Sequence, residues 1–292
     1  GEGQAIGLWL DDETIAWPGG EGSTYRLYYA ARGGMKRTGA SVAGADGSVE
    51  LAVKGGGLTE GQKRRDPYIT ASYTPDGRDY TALRPSRKID VAEILKGQAA
   101  VMEVGADGAP IAYSSLQTAR VLDFLYAAAA KRRRHGVSFD GGVPTLSLWA
   151  PTAKSVALRL YANGDVATYE EHPMERQSDG SWTVKGEASW ADRSYVYDVE
   201  VYIPPTSVTK GDASQQGLAD SVAHNLVTDP NSVGLTTDSK RSVVLDLDDP
   251  RYQPESWRAN PAPAISNQAE RSILEMHVRD FSATDATVPE RL

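Results

Sequence analysis

Cysteine is absent from the 292 residues. That removes disulfides, thiolate nucleophiles and thiolate metal ligands together, and leaves the cell compartment open. Histidine is scarce: His135, His172, His224 and His277 stand far apart without ligand-like spacing, so no structural zinc site is expected. No apolar run reaches the length of a bilayer span, and no membrane partner is expected. The start, Gly1 to Gln4, has no basic segment followed by an apolar one. A signal peptide is therefore expected to be absent or removed, and the lack of an initial methionine suggests a processed or excised chain. Neither a phosphate-cradling glycine loop nor a Gly-x-Ser-x-Gly elbow occurs, and no cofactor is expected. A basic surplus is also missing. Lys and Arg number 31 against 39 Asp and Glu, a net charge of −8. Such a chain repels phosphate backbones and anionic lipid, so nucleic acid is excluded as a partner, whereas a neutral polysaccharide meets no such penalty.

What is present is alternation. Ile6, Leu8 and Leu10 read as one face of a strand. So do Tyr25, Leu27 and Tyr29, and Val49, Leu51 and Val53. Val156, Leu158 and Leu160 repeat the pattern, as do Tyr195, Tyr197, Val199 and Val201. Turn dipeptides separate the runs: Asp46-Gly47, Asp76-Gly77, Asp107-Gly108, Asn163-Gly164 and Asp179-Gly180. Short alternating runs between tight turns predict a mainly β protein of two antiparallel, immunoglobulin-like β-sandwich domains. The length is enough for two domains. One helix is predicted over Leu116 to Arg134, closing on Lys131, Arg132, Arg133 and Arg134, cations that suit a helix C-terminus. It divides the chain into residues 1–134 and 135–250. Pro254, Pro261 and Pro263 mark a linker within 251–292, and a last strand is expected from Ser272 to Phe281.

Sites are harder to read. A glycosidase needs two carboxylates about 5–10 Å apart across the scissile bond, and spacing alone selects no such pair here. Six tryptophans stand beside three phenylalanines. Indole faces stack on sugar rings, but for any single tryptophan a place in a core is the commoner fate. Trp149 alternates against Leu148 and so faces outward; Trp182 follows the Asp179-Gly180 turn; Trp190 precedes Asp192 at another turn. These three are the candidate carbohydrate-binding residues.

The stretch Gly142 to Ala153 (GVPTLSLWAPTA) resembles the start of the starch-binding-like sandwich that precedes the catalytic barrel of pullulanases. Val227 to Pro230 (VTDP), Thr237 to Ser242 (TDSKRS) and Val244 to Leu247 (VLDL) resemble the end of that module. Ile273 to Ser282 (ILEMHVRDFS) is similar to the first barrel strand of the same enzymes. Thr14 to Pro18 and Tyr25 to Tyr29 are similar to the sandwich that comes before the module in pullulanases and limit dextrinases. The resemblance implies a parent enzyme that hydrolyses α-1,6 branch linkages in amylopectin-derived glucans, limit dextrins or pullulan. It implies an aspartate nucleophile, a glutamate acid/base and a stabilising aspartate, all on later barrel strands. A (β/α)8 barrel takes about 250 residues, and ten follow Ser282, so no catalytic residue is assigned. His277, Arg279 and Asp280 match the first strand, which does not carry that trio. The chain is therefore expected to be the non-catalytic N-terminal part, ending in the first strand of a truncated barrel, supporting that barrel and binding α-glucan. Purely structural support, and an autonomous α-glucan-binding lectin, are the alternatives; a lectin has no use for the barrel-strand motif. The resemblance admits calcium in the parent enzyme. It also admits a plastid stroma for a plant-type protein, and secretion or the cytoplasm for a bacterial one. A strand parted from its barrel is expected to fray or to pair at a sheet edge.

Overall fold

A computed structural model describes residues 5–18, 22–65, 69, 80–162, 167–204, 221–257, 259–277, 280–281 and 284–287. The expected turns at Asp76-Gly77 and Asn163-Gly164 lie outside them, as do Val278, Arg279 and Ser282 of the expected last strand.

Among the described residues the first half holds nine strands. They are β1 (Gly7–Trp9), β2 (Ile15–Trp17), β3 (Thr24–Ala30), β4 (Lys36–Thr38), β5 (Ser41–Ala43), β6 (Gly47–Val53), β7 (Thr81–Pro85), β8 (Gln98–Val104) and β9 (Pro110–Gln117). β4 and β5 form a separate hairpin. The other seven close into a barrel of order β1-β2-β7-β6-β3-β8-β9. All neighbours are antiparallel except the closing pair, β1 with β9, which is parallel through Gly7↔Leu116 and Leu8↔Gln117. This corrects the sandwich expected for the N-terminal block. Alternation says which residues face inward, and barrel and sandwich share that pattern; only the distant β1–β9 pairing separates them. Gly7 makes the closure fit, because a Cβ there would lie 2.6 Å from the Trp17 ring and 2.7 Å from Leu116.

Trp9, Ile15, Trp17, Tyr25, Leu27, Val49, Leu51, Leu83 and Val101 fill the interior. Inside it, Glu103 is only 2% exposed and accepts a bond from Trp17 Nε1 at 2.9 Å. Leu8 and Leu10 pack in a second cluster with Ala16, Leu58 and Ala82, while Ile6 packs on the barrel core. The expected single face of Ile6, Leu8 and Leu10 therefore breaks at Ile6, which precedes the strand.

The expected helix is shorter than Leu116 to Arg134. Leu116 belongs to β9 and the barrel core. Ala119–Leu122 is α-helical, Asp123–Ala127 is a π turn and Ala128–Ala130 is α-helical again. Of the basic run, Arg133 leaves the helix and reaches Asp179 at 2.6 Å. Arg176 ties the same junction, donating to the carbonyl of Pro151 at 2.8 Å.

Residues beyond this helix form two antiparallel sheets. One has the order β10 (Gly136–Asp140), β11 (Val143–Trp149), β15 (Ser181–Lys185), β14 (Glu175–Arg176). The other has the order β13 (Tyr169–Pro173), β12 (Ser155–Tyr161), β16 (Ser194–Ile203), β17 (Ser221–Val227), with β18 (Ser242–Val243) also on β16. Leu146, Leu148, Val156, Leu158, Leu160, Tyr195, Tyr197 and Val244 form the core between them. Here the alternation and the structure agree.

Asp229 pins the chain after β17 to that core. Its carboxylate accepts from Tyr195 at 2.7 Å and Tyr197 at 3.0 Å, and from the backbone N–H of Asn231 at 2.8 Å.

Residues 1–246 form one compact unit and 247–292 another. The second is irregular, with short turns at Pro250–Tyr252 and Gln268–Glu270. The expected strand from Ser272 is not formed among the described residues. Residues 271–277 have no regular structure, and Ile273 and Leu274 are 90% and 79% exposed. A strand is defined by ladder partners, and a sequence suited to burial in a parallel sheet does not supply them by itself.

Candidate functional site

The three tryptophans do not converge. Trp182 is 7% exposed, belongs to the sandwich core and donates its indole N–H to Ala150 O at 3.0 Å. Trp190 is 4% exposed and packs on His172, with ring centroids 4.5 Å apart. A Cβ at Gly186 would lie 2.3 Å from its ring. Both rings are withdrawn from any sugar, because a turn position says nothing about which side of the sheet the ring takes. Trp149 lies half-buried on the outer face of the β10–β11–β15–β14 sheet, opposite Ser181, and its N–H goes to Asp179 O at 3.0 Å.

An aromatic and polar cluster instead occupies the outer face of the β13–β12–β16–β17 sheet. Leu158 and Leu160 point to the core, so Arg159 and Tyr161 of β12 point out. Residues directly opposite in an antiparallel pair share a face. The register Arg159↔Glu171 and Tyr161↔Tyr169 places Glu171 and Tyr169 outward. The register Ala157↔Asp198 and Glu200↔His224 does the same for Asp198 and His224.

Arg159 is the hub. Its guanidinium pairs with Asp198 and, at 3.2 Å, with Glu171, and lies 4.9 Å from the centre of the Tyr169 ring. Asp198 also bonds His224 Nδ1 at 2.9 Å. Tyr169 is 41% exposed and packs at 5.6 Å on Tyr161, which Arg241 covers from 3.4 Å. Asp198 is buried beneath the row, so its two cationic or polar neighbours are held in place, while Glu171 and His224 stay open to solvent. At the edge, Glu170 accepts from Arg193 at 2.7 Å, and that bond and charge, with His172 adding to them, hold its carboxyl below the usual range.

The result is an open phenol ring beside the Arg159 guanidinium, the exposed Glu171 carboxylate and the exposed His224 imidazole, with Asp198 buried beneath them. Such a surface can stack one apolar sugar face and bond ring hydroxyls. Among the described residues, no group of three His, Asp or Glu is placed to hold a metal. The tryptophan reading missed this cluster. The sequence signal covers Arg159 alone, on the polar side of the alternating run of β12; β13 (YEEHP) does not alternate, and its facing follows from the register with β12.

A closed β-barrel followed by a β-sandwich is the architecture of the described residues up to 246. Residues 4–123 match the Pullulanase N2 domain, and residues 134–232 match carbohydrate-binding module 48, the isoamylase N-terminal domain. The chain is 30% identical to pullulanase 1, chloroplastic, of Arabidopsis thaliana, over 96% of this chain and 27% of that protein. It is 32% identical to a pullulanase of Klebsiella pneumoniae, over 97% of this chain and 24% of that one. A crystal structure of the Klebsiella pneumoniae pullulanase PulA in complex with maltotriose superposes with a TM-score of 0.79 at 30% identity, covering 99% of this chain and 29% of that one. The chain thus matches, in order, a Pullulanase N2 domain and a carbohydrate-binding module 48, over the N-terminal part of proteins named pullulanase. It spans about a quarter of the length of the curated relatives it matches.

Proposed function

We propose that this chain is the accessory region of a starch-debranching α-1,6-glucan hydrolase of the pullulanase or limit dextrinase type, and that its second domain binds α-glucan. The parts are residues 1–134, the barrel; 135–250, the binding module; and 251–292, the connection toward a catalytic barrel. The observation that carries the binding role is the exposed Tyr169 ring set among Arg159, Glu171 and Asp198. The match to carbohydrate-binding module 48 supports it. On its own the chain performs no debranching: incubated with pullulan, it is expected to release reducing ends no faster than a blank.

Titration with maltotriose and longer maltooligosaccharides, followed by heteronuclear NMR, tests the binding role. Shifts are expected to gather on β12, β13 and β16. Tyr169→Ala is expected to weaken binding by about 1–2 kcal/mol, the scale of one lost ring contact. Trp149→Ala serves as the comparison on the opposite sheet. If no resonance moves up to millimolar sugar, the binding role is lost.

The second reading, pure support of a catalytic barrel, is favoured by one observation. Trp182 and Trp190 are spent on the core, and the Arg133–Asp179 pair fastens the module to the helix before it. That reading expects the titration to be silent.

A further inference from the structure

Within the unit formed by residues 1–246, a cleft of about 1060 Å³ lies where the barrel meets the sandwich. The barrel supplies one wall from β4, the segment before β8 and the end of β9. The sandwich supplies the other through Thr152 and the end of β16. The size is at the upper end of that of small-molecule sites, and domain junctions are where such sites concentrate.

The charge of the lining is opposite to that of the chain. Lys36, Arg37 and Lys96 reach the cleft, and no Asp or Glu is among its described lining residues. The whole chain has 39 acidic residues against 31 basic ones. Lys96 is partly neutralised by Glu93 at 2.5 Å. Lys36 is exposed and pairs with no carboxylate among the described residues, so its charge is available to a ligand. Low-dielectric walls around cations of one sign focus potential and attract an anion. The rest of the lining has residue types that suit a sugar: Ser115, Thr118 and Thr152 together with Tyr113 and Tyr202. A neutral glucan would leave the Lys36 charge unused, and a bare phosphate would leave the serine, threonine and tyrosine lining unused.

We propose that this cleft binds a small anionic sugar, a glucose or short glucan bearing a phosphate. The site shares no residue with the outer face described above, so the two readings succeed or fail separately.

Calorimetric or NMR titration of the full chain with glucose 1-phosphate, maltotriose and inorganic phosphate tests it. Glucose 1-phosphate is expected to saturate with a Kd of about 1 mM or tighter, weakening as salt is raised. The Lys36→Glu, Arg37→Glu double variant lies on an exposed hairpin and is expected to keep its melting temperature while losing about tenfold or more in affinity for the sugar phosphate. Its affinity for maltotriose is expected to be unchanged. The proposal is overturned if glucose 1-phosphate fails to saturate at about 10 mM, or if the double variant binds it like the parent. It is overturned equally if inorganic phosphate binds as tightly as the sugar phosphate, or if maltotriose displaces the sugar phosphate.

Discussion

Trp182 and Tyr169 lie in one domain and have opposite duties. The indole fills space between two sheets, and its N–H is satisfied by Ala150 O. The phenol lies on the outside with part of its ring in water. Trp182→Ala is expected to destabilise the protein by about 3–5 kcal/mol, the cost of a large core cavity. Tyr169→Ala is expected to cost about 1 kcal/mol or less, the scale of an exposed cross-strand pair. Urea unfolding of both variants checks the contrast; comparable losses would remove the distinction between core ring and surface ring. Tyr195 and Tyr197 add a pH response. Burial first pushes both phenols up; the neighbouring Asp229 carboxylate adds to it at Tyr195, and Tyr195 and then Asp229 add to it at Tyr197. The folded chain keeps these protons where the unfolded chain releases them, at about pH 10. Their contribution is full below that pH and is lost as pH rises above it. Unfolding measured from about pH 9 to 11.5 is expected to show stability falling, with a shallower slope in Tyr195→Phe.

At the scale of elements, the decisive feature is the tie between the helical stretch after β9 and the turns of the sandwich. Gly180 has a φ of +78°, and a Cβ there would lie 2.8 Å from Pro151 and 3.3 Å from Tyr126. The turn is thus pressed against both the preceding loop and the helix. Arg133 pairs with Asp179 at its centre. Burial pushes the Asp179 carboxyl up, but the bonds from Arg133 and the Ser181 backbone N–H outweigh it and leave it lowered. A carboxyl so lowered contributes stability above its ordinary value of about 3.9, and that contribution is lost as pH falls through the folded value. Arg133→Ala is expected to cost about 1–3 kcal/mol at neutral pH by leaving a buried carboxylate short of a donor. The difference from the parent is expected to hold down to the ordinary carboxyl range and to shrink as pH falls further, through the lowered value at which the parent's Asp179 takes up its proton. Chemical denaturation at neutral pH and through that acid range measures this; a loss independent of pH would place the cost in packing alone.

At the scale of the whole molecule, residues 1–246 are held by ladders and two cores, and 247–292 by short turns. Amide exchange is expected to be slow at Leu158 and Tyr197 and close to the unprotected rate at Ile273, Leu274 and Met276. Strong protection of those three would show a ladder in a segment that displays none. The sequence by itself determined the β character, the inward residues of most strands and the kinship of the module. Each follows from local periodicity, turn chemistry or short motifs. Barrel closure, the burial of Trp182 and Trp190, the late start of the helix and the absence of a strand at Ser272 were decided only by tertiary structure. Residues far apart in the chain settle the first three: Gly7 meets Leu116, which keeps Leu116 in β9, Trp182 meets Ala150, and Trp190 meets His172. A period of two distinguishes the sides of a strand, while which side becomes interior and which strand lies next to it depend on contacts that no local pattern encodes.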